Sequence, residues 1–414
     1  MMRNYITAFK YNLYIFLAPI KWRAVEIVTN VCRHLPRSRN KAVLGVGNNG
    51  RSIIVFDYKL PTPDQDAGSV RMEALLDILK QWGHVVFVPL TSKTSVHYEE
   101  ALESQGVEIV YLSQVKRHLR DRKFAIAILS RAIVADVTLK MIRRVSPSTR
   151  IIFDTVDLHF LRTEREFGIT KKASTGTLAV FLKKQETRLA GKCDQVWCVT
   201  EADKAALAEA TEAEIAIVPT IHKLEERHLK FENRTGLLFI GGFAHSPNVD
   251  AVHYFLREIF PLVQQSIPGV RIHIIGSAMP PDILAYHSDS VNVLGYVADV
   301  DVYFERARVF VAPLRYGAGM KGKIGQALSF GLPVVSTTIG IEGMNMTNGD
   351  ECLIADDPVH FAECVTRAYL DAGLWQKLSD AGYQHVQENY TPEIVCRHVH
   401  LLLDNLVSTP VKVQ

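Results

Sequence analysis

Two spacings of apolar residues take turns along this chain. Short runs of strand length occur at Ser52–Phe56, His84–Leu90, Gly106–Leu112, Phe124–Leu129, Arg150–Asp154, Gln195–Val199 and Ile215–Val218. Between them lie helical patterns. Met72, Leu75, Leu76 and Leu79 follow a 3.6-residue period that ends near Gly83, and Val134 to Val145 reads the same way. Strands separated by helices predict a parallel, doubly wound sheet, whose ligands bind at the carboxyl ends of the strands. The alternation stops in a polar stretch, residues 223–234, which has no apolar period and reads as a linker. It then resumes at Leu237–Ile240, Val270–Ile275, Val291–Gly295 and Val309–Leu314, with a further strand ending near Thr337. Pro358–Leu378 and Pro392–Leu406 read as helices. The pattern therefore predicts an α/β protein with two doubly wound domains, residues 45–222 and 235–389, and a carboxyl-terminal segment, residues 390–414.

Length and composition agree with this division. A chain of 414 residues exceeds one ordinary core, and 48% hydrophobic with 22% charged residues describes a globular protein rather than a disordered one. A net charge of +3 gives no case for a nucleic-acid binder. The 6 cysteines include no CxxC pair, which suits reduced thiols in a cytoplasmic protein. Charge is uneven at the start, however. Residues 1–44 carry Arg3, Lys10, Lys21, Arg23, Arg33, Arg37, Arg39 and Lys41 against one acid, Glu26, with Tyr5, Phe9, Tyr11, Tyr14 and Phe16 among them. The apolar run between Lys10 and Lys21 is well short of the ~20 residues a spanning helix needs, and no cleavage site follows. The segment reads either as an interfacial helix on an anionic membrane or as a helix packed on the protein.

One stretch carries the clearest chemistry: Arg315 to Thr337, RYGAGMKGKIGQALSFGLPVVST. A buried-strand pattern precedes it. A loop with Gly317, Gly319 and Gly322 follows, then a short helix that Gly331 and Pro333 end. Glycines let backbone approach an anion closely, and the first N–H groups of the helix are unsatisfied. The helix dipole adds positive potential, and Lys321 and Lys323 add formal charge. This is an anion site with the capacity for a diphosphate. Gly325, inside the helix, serves either close packing or ligand access. The sequence GVGNNG at 45–50 satisfies G-x-G-x-x-G, but a strand follows it instead of a helix, so it reads as a turn. Asp64 and Asp66 mimic a metal-binding Asp-x-Asp. Their place directly after a first strand favours a loop that caps the next helix, with Gly68 bringing backbone near an interdomain cleft.

Arg315 to Met344 resembles the donor-binding segment of family 4 (group 1) glycosyltransferases, enzymes of the GT-B fold that transfer sugars with retention. The GxGxKGK-like loop before A-x-x-x-G-x-P-V-V resembles in particular the bacterial polysaccharide and O-antigen branch, and the resemblance extends from Ser52 to Asn389. It implies two Rossmann-like domains facing across a cleft, with the nucleotide-sugar donor in the second and a glycan or lipid-linked acceptor at the first. It also implies a final helix crossing back to the first domain, a cytoplasmic or peripheral membrane location, and no nucleic-acid partner. Donor-binding positions on this reading are Gly242, Arg315, Gly317, Gly319, Lys321, Lys323, Gln326 and Glu342. Lys321 also takes a catalytic role, neutralising the leaving diphosphate, so that no metal and no other cofactor is expected.

Family members carry a His near the strand end at Asp154 that contacts the transferred sugar. The register leaves two candidates, His159 and Asp157. Two glutamates common in the family are replaced here by Ala318 and Gln326, and the sequence leaves Glu342 either as a substitute or as a loop acid. The basic stretch Arg162, Arg165, Lys171, Lys172, Lys183, Lys184 and Arg188 faces either an acceptor phosphate or solvent. Thr200 reads as a helix cap, with Asp203 three residues on. Two rival readings remain at this point: a nucleotide-sugar 2-epimerase on the same fold, and a non-catalytic nucleotide-sugar binding subunit.

Overall fold

The computed structural model describes residues 51–91 and 96–409; the basic amino-terminal segment and the GVGNNG turn lie outside them. The first domain is built on a sheet of seven parallel strands, β1 (Ser52–Asp57), β2 (His84–Pro89), β3 (Glu108–Ile109), β4 (Ile126–Ser130), β5 (Arg150–Asp154), β6 (Gln195–Cys198) and β7 (Ile215–Ile217). Their order is β3-β2-β1-β4-β5-β6-β7. The second domain has six, β8 (Leu237–Ile240), β9 (Ile272–Ile275), β10 (Val291–Gly295), β11 (Val309–Ala312), β12 (Val334–Ser336) and β13 (Leu353–Ile354), in the order β10-β9-β8-β11-β12-β13. The central strands are buried on both faces, which is why they read as continuous apolar runs instead of alternating ones.

In each sheet the chain order reverses beside the first strand, between β1 and β4 and between β8 and β11. Such a reversal opens a crevice at the carboxyl ends of the strands. The two crevices face each other. A buried ion pair fixes the first: Arg71, from the Ala67–Trp82 helix, donates from Nη1 and Nη2 to Asp154 at 2.9 and 3.0 Å, and Ser130 Oγ donates to the same carboxylate at 2.7 Å.

The carboxyl-terminal helix, Pro392–Ser408, crosses back as expected. Its Val395, Val399, Leu403 and Leu406 join the first domain's core, and Asp404 accepts from Arg51 at 2.6 Å and from Trp82 Nε1 at 2.9 Å. One expectation needs correction. The helix expected over Pro358–Leu378 is two helices, Pro358–Leu370 and Ala372–Asn389, because Asp371 takes extended backbone and caps the second through Leu374 N–H at 3.0 Å. The polar stretch read as a linker ends in a buried charge. Arg234 is 1% exposed, and its guanidinium donates to the carbonyls of Leu229, Phe304 and Phe330 at 3.1, 2.9 and 3.0 Å. Carbonyl oxygens, which a sequence pattern does not reveal, make burial of that charge affordable; burial nonetheless lowers its pKa to about 10.

Candidate active site

The facing crevices enclose a cavity of about 620 Å³. From the second domain, Gly241, Gly242 and His245 after β8 and the loop from Gly317 to Lys323 after β11 line it. The Gly322–Ser329 helix opens onto it with no side chain capping its start. Its first residues, Gly322, Lys323 and Ile324, line the cavity beside Lys321; Ile324 N–H donates to the Lys321 carbonyl at 2.9 Å, and the start of an α-helix is where N–H groups lack partners four residues back.

Burial pulls Lys321 down to about 8, against the opposing charges of Glu342 and Asp203, and its Nζ donates to the Gly319 carbonyl at 2.7 Å. Burial likewise lowers Lys323, whose Nζ donates to Gln326 Oε1 at 2.8 Å. Among the described residues neither lysine is in contact with a carboxylate, so an incoming anion would meet two charges already stripped of much of their water.

The first domain answers with Gly68, Arg131, Asp157, His159 and Arg162. Arg131 and Val156, just past β4 and β5, both hold left-handed backbone, φ 78° and 62°. A β-branched residue rarely does so, and such strain collects at functional sites. Arg131 Nε donates to Asp57 Oδ1 at 3.0 Å, and Gly68 has no side chain because a Cβ would stand 2.9 Å from Arg131 Nη2.

Burial would raise the Asp157 carboxyl, but its ion pair with Arg162 and the nearby His159, His245 and Arg131 hold it at about 2. It is ionised under all ordinary conditions. His159 opens the His159–Thr170 helix. Its Nδ1 lies 3.2 Å from Glu186 Oε1 and its Nε2 3.7 Å from Asp157 Oδ1. Glu186, 1% exposed, also accepts from the backbone N–H groups of His159 and Phe160 at 3.1 and 3.0 Å, which pins the ring's position. His245 faces the same cluster from the second domain, and burial, with Arg162 next, lowers its imidazole to about 4.

The structure therefore gathers Gly68, Asp157, His159, Gly242, Gly317, Gly319, Lys321, Lys323 and Gln326 around one cavity. Arg315 and Glu342 do not line it, although Glu342 lies near enough to Lys321 to act on its charge. Arg315 Nε donates to Asp250 at 2.9 Å and the guanidinium stacks 4.9 Å over the Tyr254 ring. Glu342 accepts both arms of Arg165, at 2.7 and 2.6 Å. Gly325 serves packing: a Cβ there would stand 2.2 Å from His222 Nε2. Asp66 caps the Ala67–Trp82 helix by accepting from Ser69 N–H at 2.8 Å. Asp64 instead accepts from Tyr98 Oη at 2.8 Å and, across the cleft, from Tyr296 Oη at 2.7 Å. Among the described residues no group of three or more His, Cys, Asp or Glu is placed to hold a metal ion.

Sequence reasoning did not assign a site role to Arg131, His245 or Asp203. Asp203 follows Thr200 by three residues in a capping pattern, and Thr200 Oγ1 accepts its N–H at 3.0 Å. Its side chain, fully buried, reaches the second domain, which no local pattern could indicate.

The family described as Glycosyl transferases group 1 matches residues 234–371. A Haemophilus influenzae protein described as an uncharacterized glycosyltransferase is 23% identical over 281 residues, 59% of this chain and 76% of that protein. An uncharacterized 44.6 kDa protein in the cps region of Klebsiella pneumoniae is 25% identical over 182 residues, and the match spans 42% of this chain and 47% of that protein. Among solved structures, sucrose-phosphate synthase from Thermosynechococcus elongatus superposes with a TM-score of 0.66 at 14% identity, covering 86% of this chain and 99% of that one. Anabaena HepE, in a complex with UDP and glucose, gives 0.66 at 12% identity over 86% of this chain and 100% of that one. TarM gives 0.65 at 11% over 87% and 99%. The protein is thus a two-domain chain of the GT-B fold, related through residues 234–371 to the group 1 glycosyl transferases.

Proposed function

We propose that this protein is a glycosyltransferase that moves a sugar from a nucleotide-sugar donor to a glycan or lipid-linked acceptor, with retention, in the synthesis of a bacterial surface polysaccharide. One observation carries the reading: an uncapped helix start flanked by Lys321 and Lys323 opens at the second domain's crevice, opposite Asp157 and His159, in one cavity. The matching family and the UDP complex of HepE support a nucleoside diphosphate as the anion. The location that goes with this reading is the cytoplasmic face of the membrane, supported by the basic, aromatic character of residues 1–44.

In the reaction, the bond between the sugar's anomeric carbon and the diphosphate oxygen breaks, and its electron pair leaves with the nucleoside diphosphate. The acceptor oxygen bonds to the same carbon on the same face, and its proton passes to the departing diphosphate oxygen on that face. Charge develops on the leaving oxygen, where Lys321, Lys323 and the helix start are already oriented; this is electrostatic stabilisation that needs little reorganisation. These fixed charges take the place a metal ion holds elsewhere, so chelator should leave turnover unchanged. Asp157, held ionised, and His159, held by Glu186, orient the sugar's hydroxyls from the opposite wall.

The test is turnover of UDP-, GDP- and dTDP-sugars with and without glycan or lipid-linked acceptors. Nucleoside diphosphate released only with acceptor supports transfer. Sugar interconversion without acceptor would establish the epimerase reading, and binding without any turnover a non-catalytic subunit.

A further inference from the structure

Two side chains of the first domain grip the glycine loop from across the cleft, and neither lines the cavity. Arg165, on the His159–Thr170 helix, donates from Nη1 to the Gly317 carbonyl at 2.7 Å while forking onto Glu342 at 2.7 and 2.6 Å. Asp203, in the first turn of the Glu201–Ala208 helix, accepts the Gly319 N–H through Oδ1 at 3.4 Å. Its Oδ2 is buried with no hydrogen-bond partner among the described residues.

The surrounding backbone is equally tight. A Cβ on Gly319 would stand 2.9 Å from Asp157 Cβ, and one on Gly343 would stand 2.2 Å from Thr200 Cγ2. The loop's two alternate glycines and the Glu342–Gly343 turn therefore rest on the first domain. Lys321 leaves the loop two residues after Gly319, so its direction depends on these contacts. Burying a carboxylate with one oxygen unsatisfied is costly, and the cost persists only where the arrangement is over-determined by its neighbours. A strut at the edge of the cleft would not require it.

We propose that Arg165 and Asp203 are positioning residues that set the 317–323 loop in its anion-binding shape only when the two domains are together. Donor affinity then depends on two side chains that do not themselves line the cavity. This rests on the reading that the loop takes a nucleoside diphosphate. The Arg165 fork supplies planar, two-bond recognition that a lysine cannot reproduce, and it sits at 23% side-chain exposure against 17% for Glu342, where solvent screens it weakly.

The experiment measures the dissociation constants of UDP, GDP and dTDP by calorimetry, and the radius of gyration by small-angle scattering with and without nucleotide. The proteins are the parent, Arg165→Ala, Arg165→Lys, Asp203→Ala and Asp203→Asn, with urea unfolding as the folding control. Arg165→Ala and Asp203→Ala should each weaken nucleotide binding about tenfold, inside the usual range for coupled sites, and should raise the radius of gyration without nucleotide. Asp203→Asn keeps an acceptor oxygen for Gly319 N–H and should restore most of the affinity; Arg165→Lys should not. A purely structural role predicts lower urea midpoints with parent-like affinity in the folded fraction, and that result overturns the proposal. A parent that binds none of the nucleotides overturns the donor reading itself, and the positioning role falls with it. If either alanine variant does not fold, its conservative partner decides: parent-like affinity in Arg165→Lys, or loss of affinity in Asp203→Asn, counts against the proposal.

Discussion

Gly319→Ala separates the local cost of a side chain in the glycine loop from its cost between domains. Gly319 has φ 69°, and an alanine held in that left-handed conformation costs roughly 1–2 kcal/mol. This term belongs to the second domain and is paid whether the cleft is open or closed. The second term exists only in the closed state, where the new Cβ would stand 2.9 Å from Asp157 Cβ and 3.2 Å from the Val156 carbonyl. Both are backbone or backbone-anchored atoms with little freedom to retreat, so the overpacking cost is about 1–3 kcal/mol. At about 1.4 kcal/mol per tenfold, nucleoside diphosphate affinity should fall by roughly five- to a hundredfold. Stability in urea should fall only by the local term. Gly349→Ala is the control for the local term: it too has positive φ, 86°, but a Cβ there would meet nothing within 4 Å, and it lies outside the cavity. It should bind within about threefold of the parent, less than 1.4 kcal/mol. Calorimetric titration of both variants decides the matter. Parent-like affinity in Gly319→Ala would refute the idea that closure brings this loop against Val156 and Asp157.

Three further outcomes follow from the same geometry. Gly325→Ala gains about 1 kcal/mol of helix propensity but drives a Cβ to 2.2 Å from the His222 ring, so a net loss of stability is expected, with partial recovery in the Gly325→Ala/His222→Ala pair; a net gain in thermal stability for the single variant would contradict the packing account. Arg71→Met should destabilise by about 3–5 kcal/mol in urea, because Asp154, with no side-chain exposure, is left without its cation; a loss below about 1 kcal/mol would show that Asp154 finds other compensation. Lys321 sits at about 8, depressed from its usual value, so it is a cation below that pH and neutral above it. Nucleotide affinity should be highest below pH 8 and weaken above it, and Lys321→Ala should flatten that part of the titration curve; an unchanged profile in the variant would place the inflection elsewhere.

Much of the fold was legible because buried parallel strands leave a simple mark, a short β-branched run between helical periods. Val309–Ala312 and Arg150–Asp154 show it, and both stand where expected. The break at Asp371 was less visible, since Phe361 and Leu378 continue an apolar pattern across it. Arg234 shows a different limit, for a basic residue in a polar stretch gives no sign that four carbonyls enclose it.

The second-domain half of the site could be read because it is contiguous: glycines, lysines and a helix start lie within a few residues of one another. Proximity in sequence also misled. Arg315 lies beside that loop yet turns to Asp250 and Tyr254, and Glu342 is held by Arg165 outside the cavity. Arg131 and His245 come from strand ends of different sheets, and only the packing of the two sheets brings them to one cavity; the same packing sets Asp203 against the Gly319 N–H behind it.

The central claim is that the start of the Gly322–Ser329 helix, with Lys321 and Lys323, is a diphosphate site. The measurement that tests it most directly is calorimetric and thermal titration of UDP, GDP and dTDP into the parent protein and a Lys321→Ala/Lys323→Ala variant shown to be folded. At a hundred times the dissociation constant, a true ligand adds about 2.7 kcal/mol to stability. The account predicts that at least one nucleotide stabilises the parent by about this amount and leaves the double variant unmoved. Equal stabilisation of both proteins would place the nucleotide elsewhere, and stabilisation of neither would remove the anion site on which the reading stands.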